Sequence, residues 1–262
     1  MKFVRVNQNG RVFHAQLEND QLRPVLGDLF GEHSFAPAQP IQPGTRFLAP
    51  VAPPNIIAIG LNYRQHAAES NMKPPERPVI FIKATNSVAG NEDTILLPAI
   101  APAEVDYECE LAIVIGKTAK NVAAADALDY VFGYTCGNDV SARDCQIRLD
   151  AQWARGKSFD TFCPLGPWIE TELDPDNQPV QTRLNGRLVQ DSSTSDMIFG
   201  TRELISYCSR NMTLLPGTII MTGTPQGVGF ARKPPIFLRA GDVVEVTVGG
   251  IGTLRNTVAC ET

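Results

Sequence analysis

The sequence predicts a mainly β (α+β) fold: a mixed, largely antiparallel β-roll with short helices at its rim, plus a small N-terminal β-rich domain. Three observations carry that expectation. Apolar runs of strand length dominate the chain, and pairs of them are joined by the turn dipeptides Asn9-Gly10, Asn185-Gly186 and Gly249-Gly250. Helical stretches are few and interrupt the strands without alternating with them, which argues against a parallel α/β sheet. A stretch from Phe35 to Pro54, with prolines at 37, 40, 43, 50, 53 and 54, reads as an irregular linker and places a boundary near Pro53.

In chain order, Phe3–Val6 and Val12–Leu17 flank Asn9-Gly10 and make a meander in the small domain, 1–53. The larger domain, 54–262, opens on the strand Asn55–Ile59, followed by a helix over 62–70. Strands are expected at Val79–Ile82, Val105–Ile115 and Tyr130–Cys136, with helices over 122–129 and 141–149 around the last of these. Pro167–Glu170 is a further strand, and Gln181–Leu184 pairs with Arg187–Gln190 across Asn185-Gly186. A helix over 201–210, with Thr201 as its N-cap, precedes the strand Thr218–Thr222. Asp242–Val248 and Thr253–Ala259 close the fold as a third hairpin.

With 262 residues, 43% hydrophobic and 19% charged, the chain buries a sizeable core. A net charge of −5 without a basic block argues against a nucleic-acid partner. The start, Met1-Lys2-Phe3-Val4-Arg5-Val6, has no signal-peptide apolar region, and no apolar run is long enough for a membrane span, so a soluble cytoplasmic protein is expected. Six cysteines lie scattered without a Cys-x-x-Cys pair and read as reduced core residues; neither Cys145 nor Cys163 is marked as a nucleophile.

The richest segment is Val105-Asp106-Tyr107-Glu108-Cys109-Glu110-Leu111. Strand side chains alternate between faces, so Glu108 and Glu110 project from the same one, beside a packing face of Tyr107, Cys109, Leu111, Ile113 and Ile115. Two adjacent carboxylates in a half-buried strand need opposite charge, and Asp139, just beyond the next strand, offers a third acid. Such a set without nearby His or Cys suits Mg²⁺ or Mn²⁺, with Ca²⁺ as a substitute, but not zinc. The competing reading is a charged edge strand that resists aggregation.

Four other constellations bear on chemistry. His66 and Glu69 stand three apart on a short helix, where the carboxylate orients the imidazole to take a proton from water; a surface His-Glu pair looks the same in sequence. Arg143 and Gln146 follow the third acid one turn apart, as a carboxylate fork and an amide, although Asp144 and Arg148 at i,i+4 fit an ordinary helix surface. Lys157, in Gly-Lys-Ser-Phe-Asp-Thr, stabilises an oxyanion if it is semi-buried and merely snorkels if it is not. Met221–Gly229 ends a strand in a Gly-rich loop whose N–H groups, with Thr224, suit a carboxylate; it lacks the Lys-Ser/Thr pair of a P-loop.

Taken in order, Gly-Leu-Asn-Tyr-Arg-x-His-Ala-x-Glu, Val-Asp-Tyr-Glu-x-Glu-Leu, Asn-Asp-Val-Ser-Ala-Arg-Asp-x-Gln, Gly-Lys-Ser-Phe-Asp-Thr and Thr-Gly-Thr-Pro-x-Gly-Val-Gly closely resemble the fumarylacetoacetate hydrolase family, from about Pro54 onward. The resemblance implies a usually dimeric β-roll with Mg²⁺ or Mn²⁺ on Glu108, Glu110 and Asp139. It also implies a water-activating His66 and Glu69, often on a lid, a catalytic Lys157, and substrate contacts from Arg143, Gln146, Thr224 and, from a site-proximal family position, Lys83. The expected reaction is hydrolysis of a C–C bond in an acylpyruvate or 1,3-diketo acid, expelling an enolate held at the cation. An isomerase or decarboxylase of 2-oxo or dienol diacids on the same site is the alternative, and a catalytically silent binding module is the reading from a different class.

Overall fold

The computed structural model describes residues 1–101 and 103–261. Its largest sheet runs, side by side, through His33–Phe35, Gln21–Gly27, Arg11–Glu18, Lys2–Gln8, Cys163–Glu170, Val131–Asn138, Cys109–Ile115, Ile219–Met221, Ile56–Gly60 and Val79–Lys83. Along this path only Ile219–Met221 and Ile56–Gly60 pair in parallel. A second sheet orders Thr94–Leu97, Gly252–Cys260, Val243–Val248, Pro179–Leu184 and Arg187–Ser193. One apolar cluster joins the two sheets, taking Leu111, Ile113 and Cys136 from the first and Val180, Val246 and Leu254 from the second. On the other face of Cys109–Ile115, Ala112 and Val114 meet Phe3, Ile56 and Ile219. That strand is therefore buried on both faces, which is why it reads as an almost unbroken apolar run.

Turn chemistry places the hairpins as expected. Asn9 and Gly10 have φ of 54° and 82°, and Asn185 and Gly186 have 51° and 78°. Two successive positive φ values make a turn whose twist matches the flanking strands, and Asn-Gly adopts it at little cost. The N-terminal meander continues the large sheet through Lys2↔Glu170 and Phe3↔Ile169, while Val4, Val6, Ala15 and Leu22 form a small core of their own. The Pro-rich stretch is less irregular than expected: Gln39–Pro40 and Arg46–Leu48 add short strands against Gln21–Gly27 and Lys2–Gln8.

Four local expectations give way in the structure. The single strand foreseen over Val105–Ile115 is broken: Val105–Asp106 pairs with Ser141–Ala142 in a separate ladder, and the main strand starts at Cys109. Asp106 Oδ1 accepts from Tyr107 N–H at 2.8 Å, a local bond that competes with the ladder. The helix foreseen over 141–149 loses its first turn to that ladder and becomes a π-helical turn, Asp144–Leu149; Arg148 pairs with Glu104 at 2.7 Å, not with Asp144. Gly200, not Thr201, occupies the N-cap of Thr201–Asn211, and the helix over 122–129 is a 3₁₀ segment, Ala124–Tyr130. No helix among the described residues is long and apolar enough to cross a membrane.

Candidate active site

The break between Asp106 and Cys109 is the floor of the site. Glu108, Glu110 and Asp139 each present a carboxylate oxygen, and these oxygens lie within 4.8 Å of one another on three buried residues. Backbone bonds fix the arrangement: Asp139 N–H donates to the Glu108 carbonyl at 2.9 Å, and Glu108 N–H to Asn138 Oδ1 at 3.0 Å. As the alternation predicts, the two glutamates converge.

Opposite charge reaches two of the three acids. Lys157 Nζ donates to Glu108 Oε2 at 2.8 Å and to Asp139 Oδ2 at 2.6 Å, and Lys83 Nζ donates to Asp139 Oδ1 at 2.5 Å. Arg143 Nη2 pairs with Glu108 Oε1 at 2.6 Å. Glu110 is different: Gly223 N–H donates to its Oε2 at 2.7 Å, but among the described residues no Lys, Arg or His forms an ion pair with it. Burial, reinforced by the charges of Asp139 and Glu108, pushes the Glu110 carboxyl well above the usual range. Burial would raise Glu108 too, but the charges of Arg143 and Lys157 outweigh it and hold that carboxyl well below its ordinary value. With every group ionised, the buried ensemble of Asp106, Glu108, Glu110 and Asp139 against Lys83, Arg143 and Lys157 would leave one negative charge uncompensated, at Glu110, where burial and the neighbouring acids push the carboxyl up instead. An all-oxygen donor set with surplus negative charge fits a hard divalent cation, which Glu108, Glu110 and Asp139 could hold together.

The short helix Arg64–Glu69 supplies the next groups. Asn62 anchors its approach by donating to the Phe199 and Thr222 carbonyls and accepting from Phe199 N–H, which explains why the helix starts two residues later than expected. His66 Nδ1 lies 2.8 Å from Glu69 Oε1, and both Glu69 oxygens also accept from Gly227 N–H at 3.0 and 2.9 Å. A carboxylate so engaged accepts from the ring, so Nδ1 carries a proton, and in the neutral tautomer the lone pair sits on Nε2.

Arg143 is less free than a fork for substrate needs to be. Its Nε and Nη2 donate to Asp106 Oδ2 at 3.0 and 2.8 Å, Nη2 also pairs with Glu108, and Nη1 donates to Gln146 Oε1 at 2.9 Å. Of five N–H donors, one remains unengaged. Its guanidinium also lies over the Phe230 ring, 4.4 Å from the centroid.

The Gly-rich loop holds the protein's own acids. Gly223 N–H binds Glu110, Gly227 N–H binds Glu69, and Gly229 and Phe230 N–H bind Asp106 at 2.7 and 3.0 Å. Glycine is required twice for physical reasons. Gly223 has φ +99° and a Cβ there would sit 2.7 Å from Asn62 Cβ; a Cβ at Gly229 would meet Asp106 Oδ1 at 2.5 Å. The expected cradle for a ligand carboxylate is thus occupied, and Thr224 alone of that motif faces the cavity.

A cavity of about 580 Å³ gathers nine of the ten residues singled out from sequence: His66, Glu69, Glu108, Glu110, Asp139, Arg143, Gln146, Lys157 and Thr224. Lys83 is not on its wall; it sits behind Asp139 as a counter-charge. Phe81, Trp153, Met72, Ile147 and Phe230 make the remaining wall largely apolar. Cys145 and Cys163 are buried, and burial pushes the Cys163 thiol up to about 12, consistent with an inert role. Sequence reading missed Asp106, Asn62 and Gln190. Asp106 was detectable, since it shares the period-two parity of Glu108 and Glu110.

A β-roll whose open cavity ends in a buried carboxylate triad defines the class of protein. The chain belongs to the fumarylacetoacetate (FAA) hydrolase family: the model of the family's C-terminal region matches residues 55–259, and an Rv2993c-like N-terminal model matches residues 1–50. It is 48% identical over 216 residues to the mitochondrial oxaloacetate tautomerase Fahd2a of Rattus norvegicus, covering 81% of this chain and 69% of that protein. Among solved structures it resembles a 5-carboxymethyl-2-hydroxymuconate delta-isomerase from Mycobacterium smegmatis, with TM-score 0.89, 44% identity and full coverage of both chains. The fumarylacetoacetate hydrolase of Exiguobacterium antarcticum matches with TM-score 0.90, 40% identity and full coverage of both chains. Members of the family are enzymes acting on small molecules.

Proposed function

We propose that this protein is a divalent-cation-dependent isomerase that moves a proton between keto and enol forms of a small 2-oxo acid, as its similarity to an oxaloacetate tautomerase and a muconate isomerase supports. One observation carries the reading: His66, with a lone pair on Nε2, and Lys157, a charged ammonium, face one cavity whose floor is a carboxylate triad. Glu108, Glu110 and Asp139 would hold Mg²⁺ or Mn²⁺, and the cation would supply Lewis acidity to the substrate carbonyl. Everything else is done by side chains. His66 Nε2 takes a proton from the carbon next to the carbonyl, and the C–H electron pair becomes the C=C bond as the carbonyl π pair moves onto oxygen. The imidazolium then returns its proton to that oxygen to give the enol; ketonisation is the reverse. Glu69 offsets the charge that develops on the imidazole. Burial would lower the Lys157 ammonium, but Asp139 and Glu108 outweigh it and raise it, so Lys157 donates a hydrogen bond to the carbonyl oxygen and does not act as a base. The remaining N–H of Arg143, the Gln146 amide and the Thr224 hydroxyl orient the substrate carboxylate, and fixed orientation removes part of the entropic barrier. In this reading Lys83 steadies Asp139 and does not touch substrate.

Hydrolysis of an acylpyruvate is the second reading, favoured by the same His66–Glu69 pair, whose geometry equally suits deprotonation of water. Decarboxylation of a 3-carboxy-2-oxo acid needs no base at all. The test is to supply purified protein with Mg²⁺ or EDTA, then enol-rich oxaloacetate, acetylpyruvate and fumarylpyruvate. Cation-dependent enol–keto conversion without pyruvate release supports the isomerase; pyruvate plus a carboxylic acid from an acylpyruvate moves the assignment to hydrolase. A homodimer is part of the proposal, and sedimentation checks it.

A further inference from the structure

We infer that Gln190 is a positioning residue that commits the Thr224 hydroxyl to donating into the cavity, so that the ligand atom bound there must be an acceptor, a carboxylate or carbonyl oxygen. The inference deepens the 2-oxo acid reading and rests on it for the identity of that ligand. Gln190 lies on Arg187–Ser193 of the second sheet, outside every motif with assigned chemistry, and is 1% exposed.

The direction of each bond follows from its partners. The Cys109 N–H can only donate, so the Gln190 atom 3.0 Å from it is the carbonyl Oε1. The Pro225 carbonyl can only accept, so the atom 3.0 Å from it is Nε2. Flipping the amide would set acceptor against acceptor and donor against donor in a buried place. The second Nε2 proton goes to Thr224 Oγ1 at 2.9 Å, and Thr182 Oγ1 donates to Oε1 at 2.8 Å, so all four hydrogen-bonding capacities of the amide are used. Thr224 Oγ1 thereby accepts from Gln190, and its own proton must point elsewhere. Thr224 is 4% exposed and lines the cavity, and no other protein partner for its hydroxyl exists among the described residues. Its proton is delivered to the cavity.

The same amide holds the backbone N–H between Glu108 and Glu110, so one side chain from the second sheet sets the register between the acid floor and the Thr224 donor. A site that presents a committed donor accepts a carboxylate and discriminates against an amide N–H in the same place.

Gln190→Glu tests this, since it keeps shape while removing the donated protons: the Thr224 hydroxyl then turns toward residue 190. Oxalate binding in the presence of Mg²⁺, measured by calorimetry on Q190E, T224V, T224S and the double variant Q190E/T224V, reads the effect. The expected result is a loss of roughly tenfold or more in Q190E and in T224V, near-normal binding in T224S, and no added loss in the double variant. A Q190E loss that persists undiminished beside T224V overturns the inference, because it acts by a route other than the hydroxyl. A ligand-free readout separates this from the functional reading. In NMR spectra of the free protein, T224V is expected to shift one of the two Gln190 side-chain amide protons, identified by their absence in Q190E. If neither shifts, Gln190 does not donate to Thr224 and the inference fails. If the shift is seen while wild-type protein binds Mg²⁺ but neither oxalate nor a 2-oxo acid, the hydroxyl assignment stands and the functional reading falls.

Discussion

The two walls of the cavity are built on different terms. The acid floor is set where the strand Cys109–Ile115 begins and Val131–Asn138 ends, its side chains buried and each tied by ion pairs or backbone N–H groups before any ligand arrives. The other wall is the six-residue helix Arg64–Glu69 and the segment after it, where Met72 is 54% exposed. The floor is rigid and charged, and in the proposed reading it would take a cation and the anionic head group shared by the reactions of enolisable 2-oxo acids. The helix contributes His66, and in the proposed reading the identity of the reaction rests on it.

Breaking the floor has the largest expected effect. Glu108→Ala or Asp139→Ala removes a donor to the cation, and Mn²⁺ affinity by calorimetry should fall on the order of a hundredfold or more, with all turnover lost. An active variant that binds no metal would overturn the ligand assignment. His66→Ala tests the other wall: enol–keto conversion should fall by about 10²–10⁴-fold with Mn²⁺ binding unchanged, while any oxaloacetate decarboxylation survives. Equal loss of both activities would give His66 a wider role than proton abstraction.

Lys157→Met lies between these. It should lower every enol-forming rate by roughly 10²–10³-fold, and a rate near wild type would remove Lys157 from the mechanism. Because it leaves Glu108 and Asp139 without a shared partner, it should also destabilise the cation-free protein by about 3–5 kcal/mol, with Mn²⁺ restoring part of the loss.

The smallest effect is a pH signature of Glu110. Its folded-state carboxyl is held above the ordinary range, so within that window the folded protein keeps a proton the unfolded chain has lost. Stability of the cation-free protein, as far as Glu110 sets it, is thus full below the usual carboxylate range and falls as pH rises through the window. A bound cation takes over the charge, so the rise in Tm on adding Mn²⁺ should be larger at pH 8 than at pH 5, by a few °C. Glu110→Gln should abolish that difference; an unchanged difference would move the uncompensated charge elsewhere.

The floor was legible in sequence because Glu108 and Glu110 share period-two parity, and they converge even though the strand itself begins only at Cys109. Asp106 obeys the same rule, yet its task of holding Arg143 and two loop N–H groups depends on where residues 143, 229 and 230 fold. Arg143 was recognisable as a cation near the acids, but the occupancy of its five donors is a tertiary fact. Lys83 was read as a substrate contact, and only the pairing of Val79–Lys83 with Ile56–Gly60 shows it behind Asp139. Gln190 left no local signal, since its partners Cys109 and Thr224 are 81 and 34 residues away.

The most direct test is the loss of enol absorbance when enol-rich oxaloacetate is mixed with the protein in a stopped-flow instrument, with Mg²⁺, with EDTA, and with His66→Ala in Mg²⁺. Rapid decay is expected only for wild-type protein with Mg²⁺. Decay at the uncatalysed rate in all three, from protein shown to bind Mg²⁺, would contradict it.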